Sequence, residues 1–421
     1  MSQPLSLITK NTELWQQYQA LKEKTPMLFP TEGAAALGVS EFELMLASPY
    51  SQYIGDQCKA VLKQFEHFGS VESIVRNELA VHEKMAPYHN LKLGEKMGLA
   101  LNVGGLDLRF FMWQWQHMLA VTDTSRTGKP SYSIQFYNGE GAAIDKVYLR
   151  ELSDENIASW QAMIEAQLRT VNPETLTLEV QAPLSEWRYK VLSEAERTQL
   201  QQGWQAMIEA QLRTVNKDTL LLEPQAPLSE WRYKALSEAE RTQLQQGWQS
   251  MTDVHQFHSL LKNLDIDRAS SYRQAPEQMT QQLDISAVEA VFTHARDAKC
   301  PIMIFVGNNG LVQIQTGTVQ TLKRMGDWFN ILDKDHNDFT LHLKDRALAQ
   351  VWCVRRPTKD GIVTCIEGFD GHGVSIFSVF GQRLEGTPEL AEWQQIVATV
   401  VKEHAYTEAL TPAVMAETES A

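Results

Sequence analysis

The amino-acid sequence predicts an α+β fold made of two structurally repeated halves, and three observations carry that prediction. Ser133-Ile-Gln-Phe-Tyr-Asn-Gly-Glu-Gly141 lines up with Cys365-Ile-Glu-Gly-Phe-Asp-Gly-His-Gly373 at an offset of 232 residues, and the match continues with Ile144, Val147 and Tyr148 against Ile376, Val379 and Phe380. Both stretches read as strand, Asn/Asp-Gly turn, strand, a strong short-range signal for a hairpin. Upstream, Leu106-Asp-Leu-Arg-Phe-Phe111 resembles Phe339-Thr-Leu-His-Leu-Lys344. Helical patterns precede each strand set, over residues 12–66 and 252–298.

In chain order the sequence divides into an N-terminal half at 1–172, a connection at 173–247, a C-terminal half at 248–408 and an acidic tail at 409–421. A tandem duplication lengthens the connection. Trp160–Asn172 recurs as Trp204–Asn216, a period of 44, and blocks 160–203 and 204–247 differ only at positions 173, 174, 177, 180 and 191 of the first copy. Two copies do not make a solenoid, which needs at least three stacked units. Ser193 with Glu196, and Ser237 with Glu240, fit the S-x-x-E capping box that satisfies free amides at a helix start. Residues 173–192 and 217–236, broken by Gln181-Ala-Pro183 and Gln225-Ala-Pro227, read as loops or short strands joining helices, without chemistry of their own.

The chain has 421 residues, 43% hydrophobic and 21% charged, so it can bury a sizeable core. Its net charge of −14 argues against general nucleic-acid binding, which usually needs a basic face. A local basic pocket for a small anion remains compatible with that charge. The four cysteines, Cys58, Cys300, Cys353 and Cys365, form no C-x-x-C and suit a reducing compartment. The start lacks the basic and apolar regions of a signal peptide, and no run of about 18 apolar residues exists. These features predict a soluble cytoplasmic protein without membrane insertion.

Three patterns fail on chemistry. Asp333–Asp338 begins like a calcium loop but has Asp338 where Gly is needed and Lys344 where Glu is needed. Gly33–Leu44 resembles a helix-turn-helix, yet Glu41 and Glu43 in its second helix oppose phosphate contact. No G-x-G-x-x-G or P-loop occurs.

Two segments place chemistry-bearing side chains away from apolar stripes. Helix 252–264, capped by Thr252 or Asp253, puts Val254, Phe257, Leu260, Leu261 and Leu264 on one face and leaves His255, His258, Ser259 and Lys262 off it. His255 and His258 at i, i+3 find no carboxylate or cysteine to complete a metal motif. In Leu106–Trp113, period 2 gives Asp107, Arg109, Phe111 and Trp113 a common strand face, a lining for a flat anionic ligand or an arginine laid over aromatics at the surface. Arg355-Arg356-Pro-Thr-Lys359-Asp-Gly361, with Arg383 further on, is either a solvated basic turn or a set of carboxylate partners.

Six segments resemble, in order, the cytoplasmic hemin-degrading or hemin transport family of the HemS/HmuS type. They are Ala80-Val-His-Glu-Lys-Met85, Leu106–Phe111, Thr252-Asp-Val-His-Gln-Phe257, Ile302-Met-Ile-Phe-Val-Gly-Asn308, Arg356–Gly361 and Phe380-Gly-Gln-Arg383. The resemblance implies two repeats, each an antiparallel sheet with packed helices, and heme held between sheet and helix. It implies His255 as the axial ligand of heme iron and Arg109 on the opposite face, stabilising a water, hydroxide or dioxygen there as the catalytic group. It assigns Lys359 and Arg383 to the propionates or the distal side, and Phe305 and Phe380 to the pocket wall. Lys262 and Arg268 follow as propionate candidates from their proximity to His255. The family often has Tyr where Phe380 stands, which puts one polar contact in doubt. Two functions follow, a heme carrier and a heme-degrading enzyme. Both imply a heme-uptake transporter as donor, and either a heme acceptor or an external reductant. The alternative is a cofactor-free interaction protein or helix-turn-helix-like regulator.

Overall fold

In this computed structural model the described residues are 12–124, 128–168, 177–180, 219–222, 231–384 and 386–406. They fall into two compact units, Met1–Val71 with Phe111–Pro227, and Glu72–Phe110 with Leu228–Ala421. The expected halves therefore change at two places. Residues 72–110 join the C-terminal unit, not an N-terminal half running to 172, and so does the end of the expected connection. The expected tail at 409–421 lies outside the described residues.

The N-terminal unit opens with helices Thr12–Lys24, Pro30–Leu37, Glu41–Ala47 and Cys58–Gln64, within the span that the sequence marks as helical. Pro30 starts the second of these, and Gly38, at φ 68°, ends it in the left-handed region. Ser40 then caps the next helix in a complete capping box with Glu43. This is the pair that the sequence likens to a helix-turn-helix. Its second helix buries Phe42, Leu44, Met45, Leu46 and Ala47, so it is a core helix with no face for DNA. Strands Ser51–Tyr53, His117–Thr124, Pro130–Tyr137 and Ala143–Leu149 pair antiparallel in that order.

The C-terminal unit contains a nine-stranded antiparallel sheet. Its order is Thr280–Leu283, Gln350–Thr358, Gly361–Phe369, Ser375–Gly381, Ile302–Gly307, Leu311–Gly317, Asp107–Phe111, Met97–Ala100, Leu91–Leu93. A second set, Ala80–Pro87, Phe339–Leu343, Trp328–Asp333 and Leu322–Met325, also pairs antiparallel. One face of the nine-stranded sheet carries Ile302, Ile304, Val306, Val351, Cys353, Ile366, Phe377 and Val379. These pack with helices Ala287–Asp297 and Ala391–Glu403 and with Phe329, Phe339 and Leu341 into the main core.

The faint sequence repeat is structural. In Pro130–Tyr137/Ala143–Leu149 the pairing shifts register between Phe136 and Tyr137, and in Gly361–Phe369/Ser375–Gly381 it shifts between Gly368 and Phe369, positions equivalent under the 232-residue offset. The turns use the same chemistry. Asn138 Oδ1 accepts from the amides of Glu140 and Ala142, and Asp370 Oδ1 accepts from those of His372 and Val374.

The duplicated block is more structural than the sequence suggests. Thr177–Val180 and Thr219–Leu222, one strand from each copy, pair in parallel. At the end of the second copy, Ser237 and Glu240 form the expected capping box on helix Glu238–Gln249. That helix and the residues beside it bury Leu236, Leu244, Trp248 and Met251 in a second core with Phe257, Leu261 and Tyr272. Each such side chain, fully buried, contributes about 1.5–3 kcal/mol. Ser193 and Glu196 of the first copy lie outside the described residues.

Candidate functional site

Register decides which side chains share the second face of the nine-stranded sheet, because directly paired residues of antiparallel strands lie on the same side. Arg109 pairs with Val312, Asp107 and Phe305 both pair with Ile314, Phe305 with Ser378, and Met303 and Cys365 both with Phe380. Glu367 pairs with Ser378 and with Trp352, and Arg356 with Val363. One face therefore carries, in strand order, Trp352, Arg356, Cys365, Glu367, Phe380, Met303, Phe305, Val312 and Arg109. Three of the eight candidate residues, Arg109, Phe305 and Phe380, are on it.

The helices cover only part of that face. Trp248, Phe257, Leu261 and Tyr272 pack on Trp352, Val354, Cys365 and Phe369, with Phe380 at the margin of the cluster. Beyond that margin Met303, Phe305, Val312, Ser378, Phe380 and Arg109 are half-buried, whereas the neighbours on the other face are fully buried. Phe305 and Phe380 meet edge to face, 5.1 Å between ring centroids. The result is a mostly apolar, half-open strip beside a helix, ending in an arginine. Such a surface suits a large planar ligand with anionic edges.

His255 stands at the end of the covering helix. The helix spans Gln256–Asn263, so His255 is its N-cap residue, not part of the first turn as the sequence predicts. Neither Thr252 nor Asp253 caps that helix directly. Instead Asp253 Oδ1 accepts from the His255 backbone amide at 2.7 Å and contacts the ring Nδ1 at 2.6 Å. The His255 side chain is 88% exposed. Two residues on, Phe257 is buried and lies 4.5 Å under the Arg356 guanidinium. His258 has its pKa lowered, first by burial and then by Arg268 and Arg356.

The basic candidates separate into different roles. Lys359 donates its backbone amide to Thr252 O at 2.9 Å, which fastens the basic turn to the loop before His255. Lys262 is exposed on the helix. Arg383 lies 3.7 Å from Asp360. Arg268 is bound to the fully buried Glu367, whose other oxygen accepts from Tyr272 Oη at 2.5 Å. Burial pushes the Glu367 carboxyl up, but Arg268 and Arg356 outweigh it and hold it below the usual range. Arg268, the first residue of helix Arg268–Tyr272, is thus already paired with a buried carboxylate. Arg109 is bound to Asp107, which limits where its guanidinium can reach. Trp113 lies beyond the strand, in a 3₁₀ segment at Met112–Gln114, with its ring 5.4 Å from that of Phe111.

Sequence reasoning missed the Arg356–Tyr272–Glu367 network. Arg356 Nη2 donates to Tyr272 Oη at 2.7 Å, yet in sequence Arg356 is one member of a basic turn. The only signal was period 2 within 350–358, which puts Arg356 on the face of Val354 and Trp352.

The sequence and fold were compared with those of known proteins. A family model described as Haemin-degrading HemS.ChuX domain matches residues 265–400, and one described as Haem utilisation ChuX/HutX matches 52–163. The hemin transport protein HemS of Yersinia enterocolitica is 32% identical over 91% of this chain and 96% of its own length. The hemin transport protein HmuS of Yersinia pestis is 32% identical over 93% of this chain and 98% of its own. The chain belongs to the HemS/HmuS family. Among solved structures, holo-PhuS, a heme-binding protein from Pseudomonas aeruginosa, superposes with a TM-score of 0.72 at 31% identity, covering 91% of this chain and 97% of that one. The heme degrading enzyme ChuS of Escherichia coli O157:H7 also gives 0.72, at 28% identity, covering 92% and 98%. The HemS/HmuS fold of two sheets with helices is the one described above.

The N-terminal unit repeats the helix order around His255 without a histidine at the matching position. Helix Pro30–Leu37 is followed by the Ser40-capped helix, as Gln256–Asn263 is followed by the Asp267-capped helix Arg268–Tyr272. The N-cap residue matching His255 is Phe29.

Proposed function

We propose that this protein binds heme on the half-open strip of the C-terminal unit, with His255 as the iron ligand, and carries it in the cytoplasm from an uptake transporter to an acceptor. The observation that carries the reading is His255 itself: an exposed imidazole on a helix whose core residues pack the same sheet face as Phe380, Phe305 and Arg109. A neutral imidazole is a good iron ligand, and the apolar strip shields a macrocycle from water. Lys359, on the turn tied to the His255 loop, and Lys262 supply positive charge for the propionates. No helix among the described residues is long and apolar enough to cross a membrane.

Arg109 favours a second reading, in which the protein also opens the porphyrin and frees iron. A cation held by Asp107 at the end of an apolar strip would stabilise negative charge developing on that side. Oxygen and electrons would come from outside, the latter from an external reductant.

Titration with hemin should give a saturable Soret band, and His255→Ala should abolish it or change it. An unchanged spectrum and affinity would sink the ligand assignment. To separate the two readings, the loaded protein is given an electron donor, oxygen and a peroxide scavenger. A bilin-like product with released iron supports ring opening. Intact heme that moves to an acceptor supports the carrier.

A further inference from the structure

We infer that Asp253 is the positioning residue of the site: its carboxylate fixes the His255 ring through Nδ1 and leaves Nε2 as the nitrogen offered to iron. The inference rests on the heme reading above and adds to it which nitrogen binds and what holds it. Four contacts carry it. The Asp253 Oδ1 atom takes both the His255 backbone amide at 2.7 Å and the ring Nδ1 at 2.6 Å, so backbone and ring are anchored at one point. The Thr252 amide donates to Gln256 Oε1 at 2.9 Å, closing the loop from the helix side. The Thr252 carbonyl accepts from the Lys359 amide at 2.9 Å, closing it from the sheet side. Thr252, next to Asp253 in the chain, is therefore held from both sides.

The consequence is chemical as well as geometric. Nδ1 must carry the proton to donate to a carboxylate, so the lone pair resides on Nε2. A carboxylate on the far nitrogen makes the ring a stronger donor to the metal, and outer-sphere partners of this kind typically contribute about 10–100-fold in metal affinity.

Asp253→Asn keeps a side-chain oxygen for the backbone amide and removes the charge that holds the ring. In the heme-free protein, nitrogen-resolved NMR should find wild-type His255 protonated on Nδ1, and Asp253→Asn should move it toward the Nε2 tautomer. In the hemin-loaded, reduced protein, resonance Raman should show the iron–imidazole stretch at lower frequency in Asp253→Asn, with hemin affinity reduced about 10–100-fold and thermal unfolding unchanged. Asp253→Ser should behave as the asparagine variant does. A wild-type ring protonated on Nε2 overturns the inference whatever heme does. An iron–imidazole band lost in His255→Ala but unmoved in Asp253→Asn overturns it while leaving His255 as ligand. A band that survives His255→Ala overturns both.

Discussion

His82 illustrates what single residues contribute to stability here. Its side chain is fully buried beside Phe339, 4.9 Å between ring centroids, and burial pushes its pKa down to about 3. An unfolded histidine titrates near 6.5. Because the folded value is depressed, the unfolded state takes up the proton first, and folding stability is full above about pH 6.5 and drains as pH falls toward 3. The slope is at most about 1.4 kcal/mol per pH unit, so at pH 5 this residue alone costs about 2 kcal/mol. His117 in the N-terminal unit, pushed down to about 4 by burial, adds a similar sensitivity there. Urea unfolding at pH 7.5 and pH 5 should show a clear loss of midpoint at the lower pH, and His82→Gln should flatten that loss for the C-terminal unit. An identical pH slope in the variant would remove His82 as the cause. The Glu367 network is the opposite case. There a buried carboxylate stays ionised because Arg268 and Arg356 outweigh its desolvation.

At the scale of elements, the two hairpin turns show how a repeat is enforced by backbone geometry. Gly373 has φ +77°, and a Cβ there would meet Trp231 Cδ1 at 2.2 Å. Gly141, its counterpart, has φ +80° and would meet Ser40 Oγ at 2.5 Å. Both turns need glycine for the left-handed backbone and for a neighbour pressed against it. Gly373→Ala should therefore destabilise the C-terminal unit by more than the roughly 1–2 kcal/mol of the backbone conformation alone, because Trp231 must also move. Trp231 is held by its indole N–H to Asp267 at 3.0 Å and by its backbone amide to Gly371 O at 3.1 Å, so its displacement should appear as a change in tryptophan fluorescence. A loss no larger than a surface alanine gives would refute that close approach. These hairpins were legible in the sequence because Asn-Gly and Asp-Gly turns act locally. The strand with Arg109 was legible too, through period 2, as far as Phe111. The turn at Met112 was not, since nothing in the alternation of Met112, Trp113 and Gln114 announces it. The Arg268 pair was not legible either: its partner Glu367 is 99 residues away, and only the fold brings the two together.

At the scale of the whole chain, the two units are related in fold but not in chemistry. Phe29 occupies the helix position of His255, and Met27 that of Asp253, so hemin titration should saturate at one equivalent per chain, and His255→Ala should leave no second histidine-ligated site. The duplicated block bears on the same unit, because the end of the second copy, from 231 to 247, contributes to its core. Deleting 204–247 removes Leu236, Leu244 and the Ser237/Glu240 cap, all of which the structure uses. Yet the deletion joins Gly203 to Trp248 in register. Leu192, Ser193, Glu196 and Leu200 then stand where Leu236, Ser237, Glu240 and Leu244 stood, and Trp187 and Lys190 where Trp231 and Lys234 stood. The single change among the residues that land on 231–247 is Val191 for Ala235, which is exposed. Apart from the parallel pair of Thr177–Val180 with Thr219–Leu222, which it loses, the shortened chain should therefore keep the contacts of the C-terminal unit, and with them its unfolding temperature and its hemin titration. Deleting 226–247 provides the contrast, since it is half the length but out of register. It places Pro224 inside the helix that leads to Trp248 and Val215 at its cap. An interior proline costs about 3 kcal/mol and the lost cap about 1 more. The larger deletion should thus be the milder one, in thermal unfolding and in heme binding alike. If the in-register deletion unfolds or loses heme, the first copy holds a role that the contacts of the second do not contain.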